Sequence, residues 1–98
     1  MHIRNVTFTL FDDAVAVKPA HQGFSVAKCA QNILVENCTV NFAVGMTIGT
    51  VPPNKNNNCV RDVLFRNIIM NTPFKAIYVK TNPGSGTGII SNVTYENF

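Results

Sequence analysis

Two adjacent aspartates, Asp12 and Asp13, are the residues in this sequence best placed to do chemistry. They supply two of the chain's five acidic side chains, and no other two acids are neighbours. Carboxylates held close together raise each other's cost of ionisation. One can then keep its proton and act as an acid while its partner serves as a base. Phe11-Asp12-Asp13 runs into Ala14-Val15-Ala16-Val17-Lys18, an alternating stretch that reads as a short strand. Successive residues of a regular strand face opposite ways, so both carboxylates reach one cleft only if the backbone turns or bulges at them. A solvated Asp-Asp turn is the plain alternative, and the context downstream decides between the two.

That context is an internal repeat. Asn5-Val6-Thr7-Phe8-Thr9, Asn32-Ile33-Leu34-Val35-Glu36, Asp62-Val63-Leu64-Phe65-Arg66 and Asn92-Val93-Thr94-Tyr95-Glu96 are four versions of one strand, starting 27, 30 and 30 residues apart. A second strand recurs as Val15-Ala16-Val17-Lys18, Met46-Thr47-Ile48-Gly49 and Ile77-Tyr78-Val79-Lys80, spaced by 31 and 31. Extended units at this period indicate a solenoid, and the leucine spacing of leucine-rich repeats is absent. The sequence therefore predicts an all-β, right-handed parallel β-helix of about four rungs.

The expected stacking follows column by column. Val6, Ile33, Val63 and Val93 form one inward column, and Phe8, Val35, Phe65 and Tyr95 the next. Val15, Met46 and Ile77, with Val17, Ile48 and Val79, line the second sheet. Parallel strands lie about 4.8 Å apart, so equivalent residues of successive rungs nearly touch. Asn37, Asn67 and Asn97 are expected to form an amide ladder, and Glu36, Arg66 and Glu96 to alternate in charge on the outer face. Loops are expected at Pro19–Lys28, Val51–Asn58 and Asn82–Gly88.

Composition narrows the function classes. The net charge of +3 is spread over singly placed lysines and arginines, which gives no nucleic-acid patch and is compatible with a polyanionic substrate. No apolar run is long enough to span a membrane, and no signal peptide is visible ahead of the first strand. Gly84, Gly86 and Gly88 precede a strand, not a helix, which argues against a nucleotide site. His2 and His21 lack companions at metal-ligand spacing and read as surface residues; with no CxxC pair, neither a metal nor a cofactor is expected. Cys29 and Cys59 stand 30 apart at the same point of successive rungs, within reach of a disulfide, while Cys38 shares a column with Ile68 and Phe98 as a small core residue. Sequons at Asn5, Asn37 and Asn92, with that disulfide, lean towards secretion.

These stretches together resemble glycoside hydrolase family 28, the polygalacturonase family. The resemblance runs end to end: Asn5-Val6-Thr7, Asp12-Asp13 with Lys18, Asn32 to Cys38, Met46 to Val51, Ala76 to Thr81 and Asn92 to Phe98. It implies a β-helix enzyme that hydrolyses pectic polysaccharide with inversion of configuration. Of the family's site motifs, Gly-Asp-Asp matches Phe11-Asp12-Asp13 with both acids kept. Gly-His-Gly falls on Ala43-Val44-Gly45 without its histidine, and Arg-Ile-Lys falls on Tyr78-Val79-Lys80 with only its lysine. Asn-Thr-Asp would stand about one rung before Asp12, ahead of Met1.

By resemblance, Asp12 is the general acid and Asp13 helps to activate water. Lys80, Tyr78 and Lys18 are the substrate-binding residues. A cation holds a sugar carboxylate and an aromatic face stacks on a pyranose ring. The expected partner is a pectic polysaccharide, galacturonan or rhamnogalacturonan, and the two departures bring rhamnogalacturonan or another pectic polymer forward as substrate. Residues 1–98 are expected to be a single, partial β-helix domain of a longer secreted enzyme, with little activity alone. The competing reading is a non-catalytic β-helix that binds polysaccharide or serves as an interaction surface. Clustering of Asp12, Asp13 and Lys80 on one outward face separates the two.

Overall fold

The computed structural model describes residues 1–19, 29–51, 58–83 and 88–98, and every regular element among them is a β-strand. In chain order these are β1 (His2–Arg4), β2 (Thr7–Thr9), β3 (Asp13–Val17), β4 (Ala30–Asn41), β5 (Gly45–Val51), β6 (Asn58–Asn71), β7 (Ile77–Thr81) and β8 (Gly88–Glu96). They form two parallel sheets. One runs β1-β4-β6-β8 with β2 also paired to β4, and the other runs β3-β5-β7. The chain thus passes from one sheet to the other and back on each rung, as a parallel β-helix does. Residues 20–28, 52–57 and 84–87, which hold most of the expected loops and His21, lie outside the described residues.

The corners are made by asparagine. Asn32, Asp62 and Asn92 stand in one column with φ of 59°, 56° and 51°, and Asn5, Asn37, Asn67 and Asn97 in another with φ of 56°, 53°, 54° and 54°. Apart from glycine, Asn and Asp tolerate this left-handed conformation best, because the short polar side chain bonds locally. Here it bonds along the stack. The Asn67 amide donates to Asn37 at 3.2 Å and Asn97 to Asn67 at 2.8 Å, which is the expected ladder. Two further ladders flank it, Asn92 to Asp62 at 2.8 Å and Asn71 to Asn41 at 2.9 Å. Asn67→Ala removes a donor and an acceptor and places a Cβ residue without local bonding in the left-handed region. The expected loss is about 2 kcal/mol in a urea melt, with Asn67→Gly recovering the backbone part.

The register agrees with most of the expected columns. Ile33, Val63 and Val93 pair in succession, as do Val35, Phe65 and Tyr95, and Val15, Met46 and Ile77. Val35, Val40, Met46, Ile48 and Phe65 are wholly buried, and the Phe65 and Tyr95 rings stack at 4.8 Å. The Tyr95 hydroxyl donates to the Met46 carbonyl at 3.1 Å and ties one sheet to the other across the core.

The first rung corrects the expected alignment. Ile3, not Phe8, stands beside Val35, while Phe8 pairs with Val40 and Val6 is 36% exposed. The chain has two left-handed asparagine columns, each followed by an alternating strand. Asn5 belongs with Asn37, not with Asn32 as its Asn-Val-Thr start suggests. Ile3-Arg4-Asn5 is the counterpart of Val35-Glu36-Asn37.

On the outer face Glu36 is more than one member of a charge row. Its Oε2 accepts from Arg66 Nε at 2.7 Å, and its Oε1 is 2.9 Å from His2 Nε2, so His2 is part of this cluster. The hydrogen bond from Arg66, reinforced by His2, holds the Glu36 carboxyl below its ordinary value of 4.5. The unfolded chain therefore takes up this proton first as acid is added. Stability from the pair is complete above the ordinary value and is lost as pH falls through the folded one. Glu36→Gln is expected to flatten the acid limb of the stability profile and leave the neutral region less affected.

Cys29 and Cys59 form a disulfide with their Cα atoms 4.5 Å apart, and Cys38 is a buried free thiol that donates to the Glu36 carbonyl at 3.3 Å. Denaturation without reductant is expected to expose one titratable thiol per chain, and three would contradict the bond.

Candidate active site

The aspartates stand where the chain turns onto the second sheet. The Val44 amide donates to the Asp12 carbonyl at 2.9 Å, and the Lys75 amide to the Val44 carbonyl at 3.1 Å. Asp12, Val44 and Lys75 therefore occupy one column over three rungs. Asp13 begins β3 opposite Gly45, and the register shifts between Asp13 and Val15. The shift falls just after the two acids, at the start of β3. Gly45 is needed for the close approach of the next rung: at φ +151° its position leaves a Cβ only 2.9 Å from the Lys75 carbonyl oxygen.

The two carboxylates have different surroundings. Asp12 is exposed, and its Oδ1 accepts the Asp13 backbone N–H at 2.8 Å. Asp13 is half-buried, and its Oδ1 accepts the Tyr78 hydroxyl at 2.6 Å and the Thr47 hydroxyl at 3.0 Å. Ala16, Thr47 and Tyr78 are register partners in the outward column of β3, β5 and β7. The Asp13 side chain thus runs down the stack and is anchored by one hydroxyl from each of the next two rungs. The hydrogen bond to Asp13 raises the Tyr78 phenol above its ordinary value of 10.0, so it stays a donor through the neutral range.

Of the residues singled out in the sequence, Asp12, Asp13 and Tyr78 come together. Lys18 and Lys80 are exposed, one place beyond the Val17–Ile48–Val79 register, on the same side of their strands as Ala16 and Tyr78. Neither lysine is bonded to the aspartates in the ladder just described.

Sequence reasoning missed three features. Thr47 is one, although its place beside Tyr78 followed from the 31-residue period. Lys75 is another: its Nζ lies 5.0 Å from the Tyr78 ring centre and 6.0 Å from that of Phe74. The third is a set of exposed aromatic rings at the same corner, with Phe11 and Phe42 stacked at 5.9 Å and Phe74 one rung further on. Phe11, Phe42 and Phe74 are separated by 31 and 32 residues, so the row was readable from its period. Among the described residues no group of His, Cys, Asp and Glu is arranged to hold a metal ion, and no helix is long and apolar enough to cross a membrane.

Comparison with known proteins gives a consistent result. The sequence model of the family described as Glycosyl hydrolases family 28 matches residues 1–98. The chain is 35% identical to a probable rhamnogalacturonase B of Aspergillus terreus over 98% of its length, covering 16% of that protein. It is 32% identical to rhamnogalacturonase A of Aspergillus aculeatus, again over 98% of the chain and 19% of the relative. An exopolygalacturonase of Arabidopsis thaliana is 28% identical over 83% of the chain and 18% of that protein. The chain therefore spans less than a fifth of the length of these relatives. No solved structure matches it.

Proposed function

The chain belongs to glycosyl hydrolases family 28, and from that premise we propose that it carries the acid-bearing rungs of an enzyme that hydrolyses pectic polysaccharide. The observation that supports this most is the division of labour between the two aspartates. Asp13 is fixed by Tyr78 and Thr47, whereas Asp12 is exposed and, among the described residues, its carboxylate accepts only the Asp13 backbone N–H.

In this reading Asp12 is the general acid that protonates the leaving glycosidic oxygen. Asp13 helps to position and activate the water, with Tyr78 and Thr47 setting its orientation. Inversion requires an acid and a base roughly 6.5–9.5 Å apart with water between them. The remaining base function belongs to a carboxylate on the preceding rung of a longer β-helix, of which this chain is one segment. Lys80 and Lys18, displayed along the outward face of β7 and β3, hold uronate carboxylates as point charges. Their position suits a polyanionic polymer and agrees with the net charge of +3. The Cys29–Cys59 bond supports a secreted protein, since disulfides persist in oxidising compartments.

The test is release of reducing ends from homogalacturonan and from rhamnogalacturonan by the longest natural form of the protein. Hydrolysis of either polymer supports the reading. Binding of the polymers without hydrolysis would make this a carbohydrate-binding β-helix.

A further inference from the structure

Three phenylalanines lie on the surface at the corner that carries Asp12. Phe11 is 86% exposed, Phe74 77% and Phe42 47%, and none belongs to the hydrophobic core. Folding gains little from rings left in water, and clustered exposed apolar groups usually mark a binding surface. The three stand on consecutive rungs. Phe11 precedes Asp12 directly, and the Phe74 amide donates to the carbonyl of Ala43, the residue after Phe42. The row therefore extends over about 10 Å along the stack, two inter-strand spacings of roughly 4.8 Å. Lys75 joins it to the acids. Its ammonium lies 6.0 Å from the Phe74 ring centre and 5.0 Å from that of Tyr78, and Tyr78 donates to Asp13.

We propose that Phe11, Phe42 and Phe74, with Lys75, form a specificity surface for a pectic chain in which a neutral deoxysugar alternates with a uronic acid. The inference rests on the hydrolase reading above and adds to it the residues that choose the polymer. The argument is one of charge and hydration. A row of three phenyl rings takes the apolar face of a pyranose, and a deoxysugar adds a methyl group to that contact while bringing no charge. A chain made only of uronates would lay successive carboxylates over rings that offer no cation, stripping them of water without replacement. The row supplies one ammonium, from Lys75 at its inner edge, where the uronate of an alternating chain meets it. Each ring adds contact without a hydrogen bond, so the surface selects by what it excludes as much as by what it binds.

The test uses the longest natural form of the protein with Asp12→Asn, which slows turnover enough to measure binding, and calorimetric binding of two probes of equal length. One is an alternating rhamnose–galacturonic acid oligomer and the other is an oligogalacturonate. The ring variant Phe11→Ser/Phe74→Ser changes two exposed positions. Phe42→Asn is a second variant that keeps a residue suited to the left-handed φ of 67°. Circular dichroism matching the parent confirms the fold of each. Both variants are expected to weaken the alternating oligomer about fivefold to tenfold and to leave the oligogalacturonate nearly unchanged. Lys75→Met is expected to weaken the alternating oligomer as well. Unchanged binding of that oligomer by the ring variants, or equal losses on both probes, would overturn the inference. The hydrolase reading fails separately, if the protein with Asp12 intact releases no reducing ends.

Discussion

Replacing Asp12 by asparagine is expected to lower the turnover of pectic polysaccharide by about 10²–10⁴-fold, the usual contribution of a positioned general acid. The KM is expected to stay near its original value. The reason is that Asp12 has a structural bond and a chemical role that asparagine separates. Its Oδ1 accepts the Asp13 N–H at 2.8 Å, and the Asn carbonyl oxygen accepts the same bond. The backbone at the bulge therefore holds. What the amide lacks is a proton to give to the departing oxygen. Tyr78→Phe makes the useful contrast, since it removes the 2.6 Å donor to Asp13 and leaves Asp12 untouched. Its loss in kcat reports how much the fixed orientation of Asp13 contributes. Steady-state kinetics on the three forms separate the two effects, and an Asp12→Asn enzyme with full turnover would move the acid elsewhere.

The second large effect is on stability. Phe65→Ala is expected to cost about 3–5 kcal/mol, as deletions of a fully buried aromatic do. Phe65 has no exposed surface, stands in register between Val35 and Tyr95, and stacks on the Tyr95 ring at 4.8 Å. A cavity there faces one neighbour above and one below, and the backbone ladders on both sides hold those neighbours apart. The site can therefore collapse only a little. Val79→Ala, on an outer strand and 55% exposed, is the control and is expected to fall within about 0.5 kcal/mol of the parent. Denaturant melts of the two variants measure the difference. Similar losses for both would contradict the placement of the core.

The sequence showed the repeat clearly because stacking makes equivalent residues touch. Once Ile33, Val63 and Val93 fall into one column, Val35 with Phe65, Met46 with Ile77, Asn37 with Asn67 and Cys29 with Cys59 follow from the same 30- to 31-residue step. The first rung escaped because period-2 alternation fits two registers equally well. Asn5 begins one asparagine column and resembles the start of the other, so the repeat sets Phe8 beside Val35, the place Ile3 takes, while Phe8 packs inward beside Val40. Of the candidate site, the acids were legible as an adjacent pair and Tyr78 from its place in the 31-residue repeat. Thr47 and Lys75 were not, because a single hydroxyl or ammonium carries no pattern until the register brings it beside a partner. Asp13 reaching across two rungs is a fact of three dimensions; nothing in the spacing of residues 13, 47 and 78 indicates that one carboxyl oxygen accepts from both hydroxyls.

The most direct test of the active-site assignment is the configuration of the newly released sugar. Proton magnetic resonance recorded during the first minutes of hydrolysis of a pectic polymer distinguishes the nascent anomer before mutarotation mixes it. With Asp12 as acid and water activated from the opposite side of the ring, an α-linked pectic polymer is expected to yield the β anomer first. Release of the α anomer first would mean a covalent intermediate on one of the aspartates, and would contradict the roles assigned to Asp12 and Asp13.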